Sequence, residues 1–173
     1  MANKYLHPFG KLAKNYRKFR SELTTVASSI AENEFTENFG RNSVGGYRDG
    51  STFTAWQKRK SIAGKRDSKR SVLVKSGRMR RSFAKRPTLA YARVVNTAPY
   101  AKIHNEGGQI SGEFKVRSHS RRTRKGNVNV SAHSRNVNTN MPKRPFMVTN
   151  KNIIDAIDNH VSKSLNKIFN ESL

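Results

Sequence analysis

The sequence contains no cysteine. Disulfide bonds, thiolate zinc sites and thiol nucleophiles are therefore excluded. No stretch approaches the ~18 consecutive apolar residues that a membrane-spanning helix needs, and Met1–Gly10 lacks the apolar core of a signal peptide. These absences predict a protein that folds without covalent cross-links, has no membrane partner and remains in the compartment in which it is made.

Acidic residues are scarce as well. The 11 Asp and Glu residues stand against 35 Lys and Arg residues, which gives a formal net charge of +24. Residues 58–86 contain 13 basic residues and one acidic residue, and residues 112–146 contain nine and one. Such a charge lowers stability through self-repulsion and predicts an anionic partner. Two kinds of partner fit this pattern equally well, the backbone of nucleic acid and the acidic surface of a neighbouring protein.

The patterns that usually carry catalysis or cofactor binding are missing from the sequence. Gly64 and Lys65 are followed by Arg66, and Arg59 stands where a phosphate loop needs its first glycine. His104 and Glu106 lie close together, but no third metal ligand is near them in sequence. Neither a zinc-finger spacing nor a convincing helix-turn-helix pattern is present. The sequence therefore predicts no catalytic, cofactor-binding or metal site, and a protein that is not an enzyme.

The length predicts one domain over residues 1–173. Each end of the chain predicts a long amphipathic helix, because apolar residues recur there at spacings of three and four. The first helix is expected over residues 11–39. The second is expected over residues 150–169, with Asn150 as its N-cap.

The segments between these helices give shorter predictions. Residues 41–52 are rich in glycine and predict a loop, and Phe53–Lys60 predicts a short helix. Ser76 is expected to cap a further helix that runs through Phe83. Leu89–Asn96 carries apolar residues on both faces and predicts a strand that is covered on both sides.

Residues 112–134 predict a projecting β-hairpin with a basic tip. Glu113–Ser120 and Asn127–Ser134 alternate between apolar and polar residues, and Arg121–Gly126 connects them. The predicted fold class is therefore α+β, a small antiparallel sheet packed against long N- and C-terminal helices, with a basic hairpin arm.

Four features then occur in a fixed order. An aromatic segment around Trp56 comes first. The second feature, Val72–Phe83, contains in order a hydrophobic pair, a Ser-Gly dipeptide, a Met-Arg dipeptide and a serine. Tyr100–Gly108 contains Tyr-Ala, then His and Gly, and Met141–Phe146 contains Pro, Arg-Pro and Phe before the last helix. Together these motifs resemble the phage virion-morphogenesis family, the tail-completion or neck proteins of Mu-like and P2-like phages. The resemblance covers roughly residues 53–169.

This resemblance implies that the motif residues serve folding rather than catalysis. The residues concerned are Trp56, Ser76, Gly77, Tyr100, His104, Gly107, Arg144, Pro145 and Phe146. It further implies a ring of six copies that joins tail to head around the DNA channel of the virion, after assembly in the host cytoplasm. The expected partners are further copies of the chain, other neck, portal-adaptor or tail-tube proteins, and the packaged DNA backbone.

The residues expected to face the channel or acidic neighbours are Arg78, Arg80, Arg81, Arg121, Arg122, Arg124 and Lys125. The alternative is a free basic nucleic-acid-binding protein of nucleoid or ribosome-associated type, and a nuclease or other enzyme is a third possibility. The free protein would bind duplex with a steep salt dependence, whereas the ring protein would associate with itself or with particles even without DNA.

Overall fold

The computed structural model of the protein describes residues 8–41, 45–58, 72–74, 76–124 and 126–171. Its elements confirm a mixed α+β fold, in which the strands form four separate two-stranded antiparallel sheets, β1–β2, β3–β4, β5–β8 and β6–β7. In chain order the elements are α1 (Pro8–Glu37), β1 (Gly46–Asp49), β2 (Thr52–Ala55), α2 (Arg78–Arg81), β3 (Phe83–Lys85), β4 (Val94–Asn96), α3 (Ala101–Glu106), β5 (Gly108–Val116), β6 (His119–Thr123), β7 (Gly126–Val130), β8 (His133–Met141) and α4 (Lys151–Asn170).

The two long helices pack against each other, and α1 also contacts β3 and β4. Asn150 caps α4 as predicted, because its side-chain oxygen accepts a hydrogen bond from the backbone N–H of Ile153 at 3.0 Å. Ser28 on α1 is fully buried, and its hydroxyl accepts a hydrogen bond from the backbone N–H of Arg93 at 3.2 Å. This small side chain lets the segment before β4 approach the helix closely. None of the helices described is long and apolar enough to cross a membrane.

The core lies at the C-terminal end of α1. Phe39 and Phe146 are fully buried, and their ring centroids lie 5.2 Å apart. Phe39 also meets Trp56 edge to face at 5.5 Å, a geometry that aromatic pairs favour. Since α1 ends at Glu37, Phe39 departs from the apolar stripe of the helix and turns into this core.

The predicted loop at residues 41–52 and the predicted helix at Phe53–Lys60 are both wrong within the described residues. Strands β1 and β2 pair there instead, with Gly46 facing Ala55 and Asp49 facing Thr52. Only two residues connect the strands, and Gly50 adopts a positive φ of 60°. A two-residue connection of this kind favours a hairpin. Trp56 follows β2 directly and enters the core.

The prediction of a covered strand over Leu89–Asn96 is wrong for its first half. Leu89 and Tyr91 are 78% and 53% exposed, and only Val94–Asn96 forms a strand. The hydroxyl of Thr88 accepts hydrogen bonds from the backbone N–H groups of Ala90 and Tyr91. Thr88 therefore closes a tight turn at the place where an extended strand was expected.

The predicted helix from Ser76 through Phe83 is shorter than expected. It comprises only α2, and Phe83 begins β3, where it faces Asn96. The hydroxyl of Ser76 accepts a hydrogen bond from the backbone N–H of Arg78 at 3.3 Å, although Gly77 occupies the N-cap position.

The hairpin arm extends over residues 108–141 and is longer than the predicted 112–134. Gly108 faces Met141 and Val116 faces His133 in one sheet, and His119 faces Val130 in the other. The same register runs through both sheets, so they form one hairpin that is interrupted at residues 117–118 and 131–132. Most residues of the outer sheet are exposed, and the strands of each sheet contact mainly each other.

Candidate assembly surfaces

The segment Pro145–Met147 is held by hydrogen bonds from three separate elements. The indole N–H of Trp56 donates to the carbonyl of Pro145 at 2.9 Å. The amide of Asn38 donates to the carbonyl of Phe146 at 3.1 Å. The side-chain oxygen of Asn105 accepts from the backbone N–H groups of Phe146 and Met147, each at 3.0 Å. One extended segment thus joins the end of α1, the end of β2 and α3.

Arg144, which precedes Pro145, fixes the same segment through further hydrogen bonds. Its side chain is buried, and its Nε donates to the carbonyl of Gln57 at 3.1 Å. Its backbone N–H donates to the carbonyl of His104 at 2.9 Å. Arg144 therefore ties the chain that leaves the arm to both α3 and the segment after β2, which is a folding role.

Tyr100 occupies the N-cap position of α3, and His104 lies one turn further along. Their rings meet edge to face, with centroids 6.0 Å apart. Burial lowers the pKa of His104, and the nearby guanidinium of Arg144 lowers it further. Nδ1 of His104 is buried and has no hydrogen-bond partner among the described residues. Burial and the guanidinium of Arg144 both disfavour the protonated form of the ring. No three His, Cys, Asp or Glu side chains in the described part of the chain are grouped so that they could hold a metal ion.

The lowered pKa of His104 predicts that acid weakens the fold. Below its ordinary pKa of 6.5, the unfolded chain binds a proton that the folded protein resists, so the free energy of unfolding falls until the folded pKa is passed. We expect the urea midpoint to fall between about pH 7.5 and about pH 5.5, and to fall less in His104→Leu. His119→Leu on the exposed arm is the control, and an identical pH dependence in wild type and His104→Leu would contradict the prediction.

Two motif glycines occupy positions that no other residue fits without strain. Gly77 has a φ of 66°, and a Cβ there would lie 2.8 Å from a guanidinium nitrogen of Arg81. Gly107 has a φ of 76° and ends α3, and a Cβ there would lie 2.9 Å from the backbone nitrogen of Lys143. Positive φ favours glycine, and Gly107 in addition lets the segment that follows β8 pass close to α3.

Three of the predicted basic residues lie on the single turn of α2. Arg78, Arg80 and Arg81 are all exposed. Arg81 also donates to the carbonyl of Ser76 at 2.9 Å. Three guanidinium groups are thus presented beside the core that holds Met79.

The other predicted basic residues that the structure describes lie at the far end of the arm. Arg121 and Arg122 are exposed neighbours on β6, and Arg124 lies at the exposed turn between β6 and β7. Successive residues of a strand point to opposite faces, so Arg121 and Arg122 present charge on both sides of the arm. Lys125, which was predicted with them, lies outside the described residues. The six predicted basic residues that the structure describes thus belong to two elements, α2 and the arm.

Two residues of this framework were missed by the sequence analysis. Asn38 is fully buried and Asn105 is half-buried, and both serve the backbone around Phe146. The sequence around these two asparagines contains no pattern that predicts a structural role for their side chains. Only the position of Asn105 next to His104 in a motif could have drawn attention to it.

The sequence matches the phage virion morphogenesis family over residues 4–166, nearly the whole chain. The chain therefore belongs to the phage virion morphogenesis family. This membership indicates a role in the structure or assembly of the phage virion, and a structural role rather than a catalytic one. Searches of curated proteins and of solved structures each returned no match.

Proposed function

We propose that the chain is a tail-completion or neck protein that forms a ring of six copies around the DNA channel at the head–tail junction. Membership of the virion morphogenesis family supports the assignment to the particle. The ring position, the number of copies and the absence of catalysis are part of the proposal. The partners are other neck, portal-adaptor or tail-tube proteins, together with the DNA that passes through the channel.

The observation that carries this proposal is that the motif residues are used within the fold, whereas the predicted basic residues are exposed to solvent. Trp56, Asn105 and Arg144 are occupied in holding the core together. In contrast, the guanidinium groups on α2 and on the arm are exposed. A chain of net charge +24 repels its own copies, and a shared anionic partner at the centre of a ring offsets that repulsion.

The exposed charges of the arm act only over a short distance, so they are expected to contact their partner directly. Ionic strength of the cell screens exposed charges beyond about 8 Å. Arg121, Arg122 and Arg124 therefore act on a partner only where the arm touches it, and their removal is expected to affect assembly more than an equal loss of charge elsewhere.

The test uses a phage mutant that lacks this protein. We expect its lysates to contain heads and tails that are not joined, and we expect purified protein to restore joined particles. The variant Arg121→Gln/Arg122→Gln/Arg124→Gln is expected to reduce joining by about tenfold or more, counted as infectious particles and by electron microscopy.

The control Lys14→Gln/Arg17→Gln/Lys18→Gln removes three exposed charges from α1 and leaves the same net charge as the arm variant. It is expected to retain most of the joining activity. Normal particles in the absence of the protein would overturn the proposal. Tight binding of free duplex by a monomer that never enters particles would favour the free nucleic-acid-binding protein instead.

A further inference from the structure

The inner half of the arm carries a row of apolar side chains on one face. Residues that face each other across an antiparallel pair lie on the same side of a sheet. Ile110, Phe114 and Val116 alternate along β5, and Val137 faces Gly112 between them. We call these four residues the apolar row. Phe114 is 50% exposed, and its ring lies over the space that a side chain at Gly112 would fill.

A two-stranded ribbon with an exposed apolar row is not expected to be stable in water without a covering surface. An isolated two-stranded hairpin is marginally stable, and stability normally requires a third strand or a surface that covers one face. Each outer edge of a two-stranded ribbon also leaves backbone N–H and C=O groups open to pairing. The apolar row therefore indicates that a protein surface covers the inner half of the arm in the assembled state.

The charge around the apolar row defines the surface that would fit it. Arg135 faces Phe114 directly and is exposed. Over residues 108–141 the arm has seven basic residues and one acidic residue, Glu113. A matching surface is therefore acidic, and it contains an exposed apolar side chain. Duplex DNA would supply the negative charge but would gain little from Phe114, because base stacking is closed to it.

This chain itself carries such a surface where α1 ends and α4 begins. Asn150 donates to the carboxylate of Glu34 at 2.9 Å, and the backbone N–H of Lys151 donates to Asp49 at 2.8 Å. Arg41 and Lys151 neutralise part of the charge. The acidic junction consists of Glu34, Glu37, Asp49, Asp155 and Asp158, with Ile154 beside them and 50% exposed. These are five of the 11 acidic residues of the chain. Glu34 is largely buried against Arg41, so the exposed negative charge of the junction comes mainly from Glu37, Asp49 and Asp158.

We propose that the apolar row of one copy docks against the acidic junction of a second copy. The inference rests on the proposed ring and names the contact that holds it. Arm and junction are different surfaces, so the contact is head to tail, and copies joined in this way close into a ring when the rotation between them permits. Each copy then gives one arm and receives another.

The area of this contact determines how it behaves. A nine-residue ribbon is about 30 Å long and about 10 Å wide, so the two surfaces together bury about 600 Å². A stable pairwise interface needs about 1,200–2,000 Å². One arm therefore holds a neighbour weakly, and association becomes strong when every arm of a closed ring is engaged.

The test is the self-association of the purified full-length protein without nucleic acid, measured by analytical ultracentrifugation at one fixed ionic strength. Phe114→Ser and Arg135→Glu are each expected to weaken association by about tenfold or more. Val128→Ser removes another exposed apolar residue from the outer half of the arm and is the control, with a change below about twofold. Trp56 fluorescence and helical circular dichroism check that every variant retains the folded body.

A charge exchange identifies the partner surface. Asp158→Arg alone is expected to weaken association as Arg135→Glu does, and the double variant is expected to recover it. A double variant no better than the weaker single variant would overturn the pairing with the acidic junction. Unchanged association of Phe114→Ser, or a wild-type protein that stays monomeric at about 100 μM, would overturn docking on a second copy.

Three further results separate this inference from the proposed function. If Phe114→Ser blocks the joining of heads and tails but leaves self-association intact, the arm meets a different protein and the inference fails while the neck function stands. If it lowers duplex affinity alone, the arm meets DNA and the inference fails. If particles join without the protein while the arm variants still abolish self-association, the contact stands and the neck function fails.

Discussion

Replacement of Phe146 by alanine is expected to lower the free energy of unfolding by about 3–5 kcal/mol. Phe146 is fully buried. Its ring centroid lies 5.2 Å from that of Phe39 and 6.1 Å from that of Phe83. Truncation therefore removes the buried ring and leaves a cavity between Phe39, just after α1, and Phe83 in β3, so the core cannot collapse to fill it.

Urea unfolding followed by the fluorescence of Trp56, the only tryptophan, would measure this loss. Phe169→Ala is the matched control, because Phe169 is 54% exposed near the end of α4, and its loss is expected to stay below about 1 kcal/mol. A loss below about 1 kcal/mol for Phe146→Ala would contradict the central place given to this ring.

The second large effect is expected at Asn105. Asn105→Ala leaves the backbone N–H groups of Phe146 and Met147 without their acceptor. A buried donor that loses its partner destabilises a fold by about 1–3 kcal/mol, and Asn105 is half-buried, so we expect a loss of about 2–4 kcal/mol for the pair.

Asn105→Asp is the control for this prediction, because a carboxylate keeps an oxygen in the accepting position. It is expected to retain more of the stability than the alanine variant when both are unfolded in urea. If both variants lost the same free energy of unfolding, the accepting oxygen would not be the source of the stabilisation by Asn105. The prediction would then be wrong even if both proteins were less stable.

The two long helices could be predicted from the sequence because their apolar periodicity extends over several turns. The structure places them at Pro8–Glu37 and Lys151–Asn170, within three residues of the predicted bounds. Asn150 was identified as a cap because Ser, Thr, Asp and Asn are preferred there. Such signals are local, and packing in the rest of the molecule does not change them.

The arm could be predicted only in part. Its alternating residues near the tip predicted strands, whereas Gly108–Gly112 and the asparagines of β8 did not, because such residues are disfavoured in strands. In the structure the inner strands pair over nine positions. At Gly108–Gly112 the partner residue on the opposite strand lies more than 20 residues away in sequence, and this pairing overrides the weak local preference.

The remaining misses have a common physical cause. The two-residue turn at Gly50 and the Thr88 turn both reverse the chain where composition alone predicted a loop or a continuous strand. The family motif led to Trp56, Arg144 and Phe146. However, the two asparagines that hold the backbone around Phe146 were not predicted, because a buried amide is recognised by its partners and not by its neighbours in sequence.

The register that the two sheets of the arm share has a consequence for the length of the arm. Removing two residues from each strand, in facing pairs, would shorten the hairpin by about 7 Å and leave every outer side chain on its original face. Removing one residue from each strand would turn the outer part of the arm over. Val128 would then lie on the other face of the arm relative to Phe114. The arm can thus act as a spacer of adjustable length, which changes in steps of two residue pairs while the body that carries it stays the same.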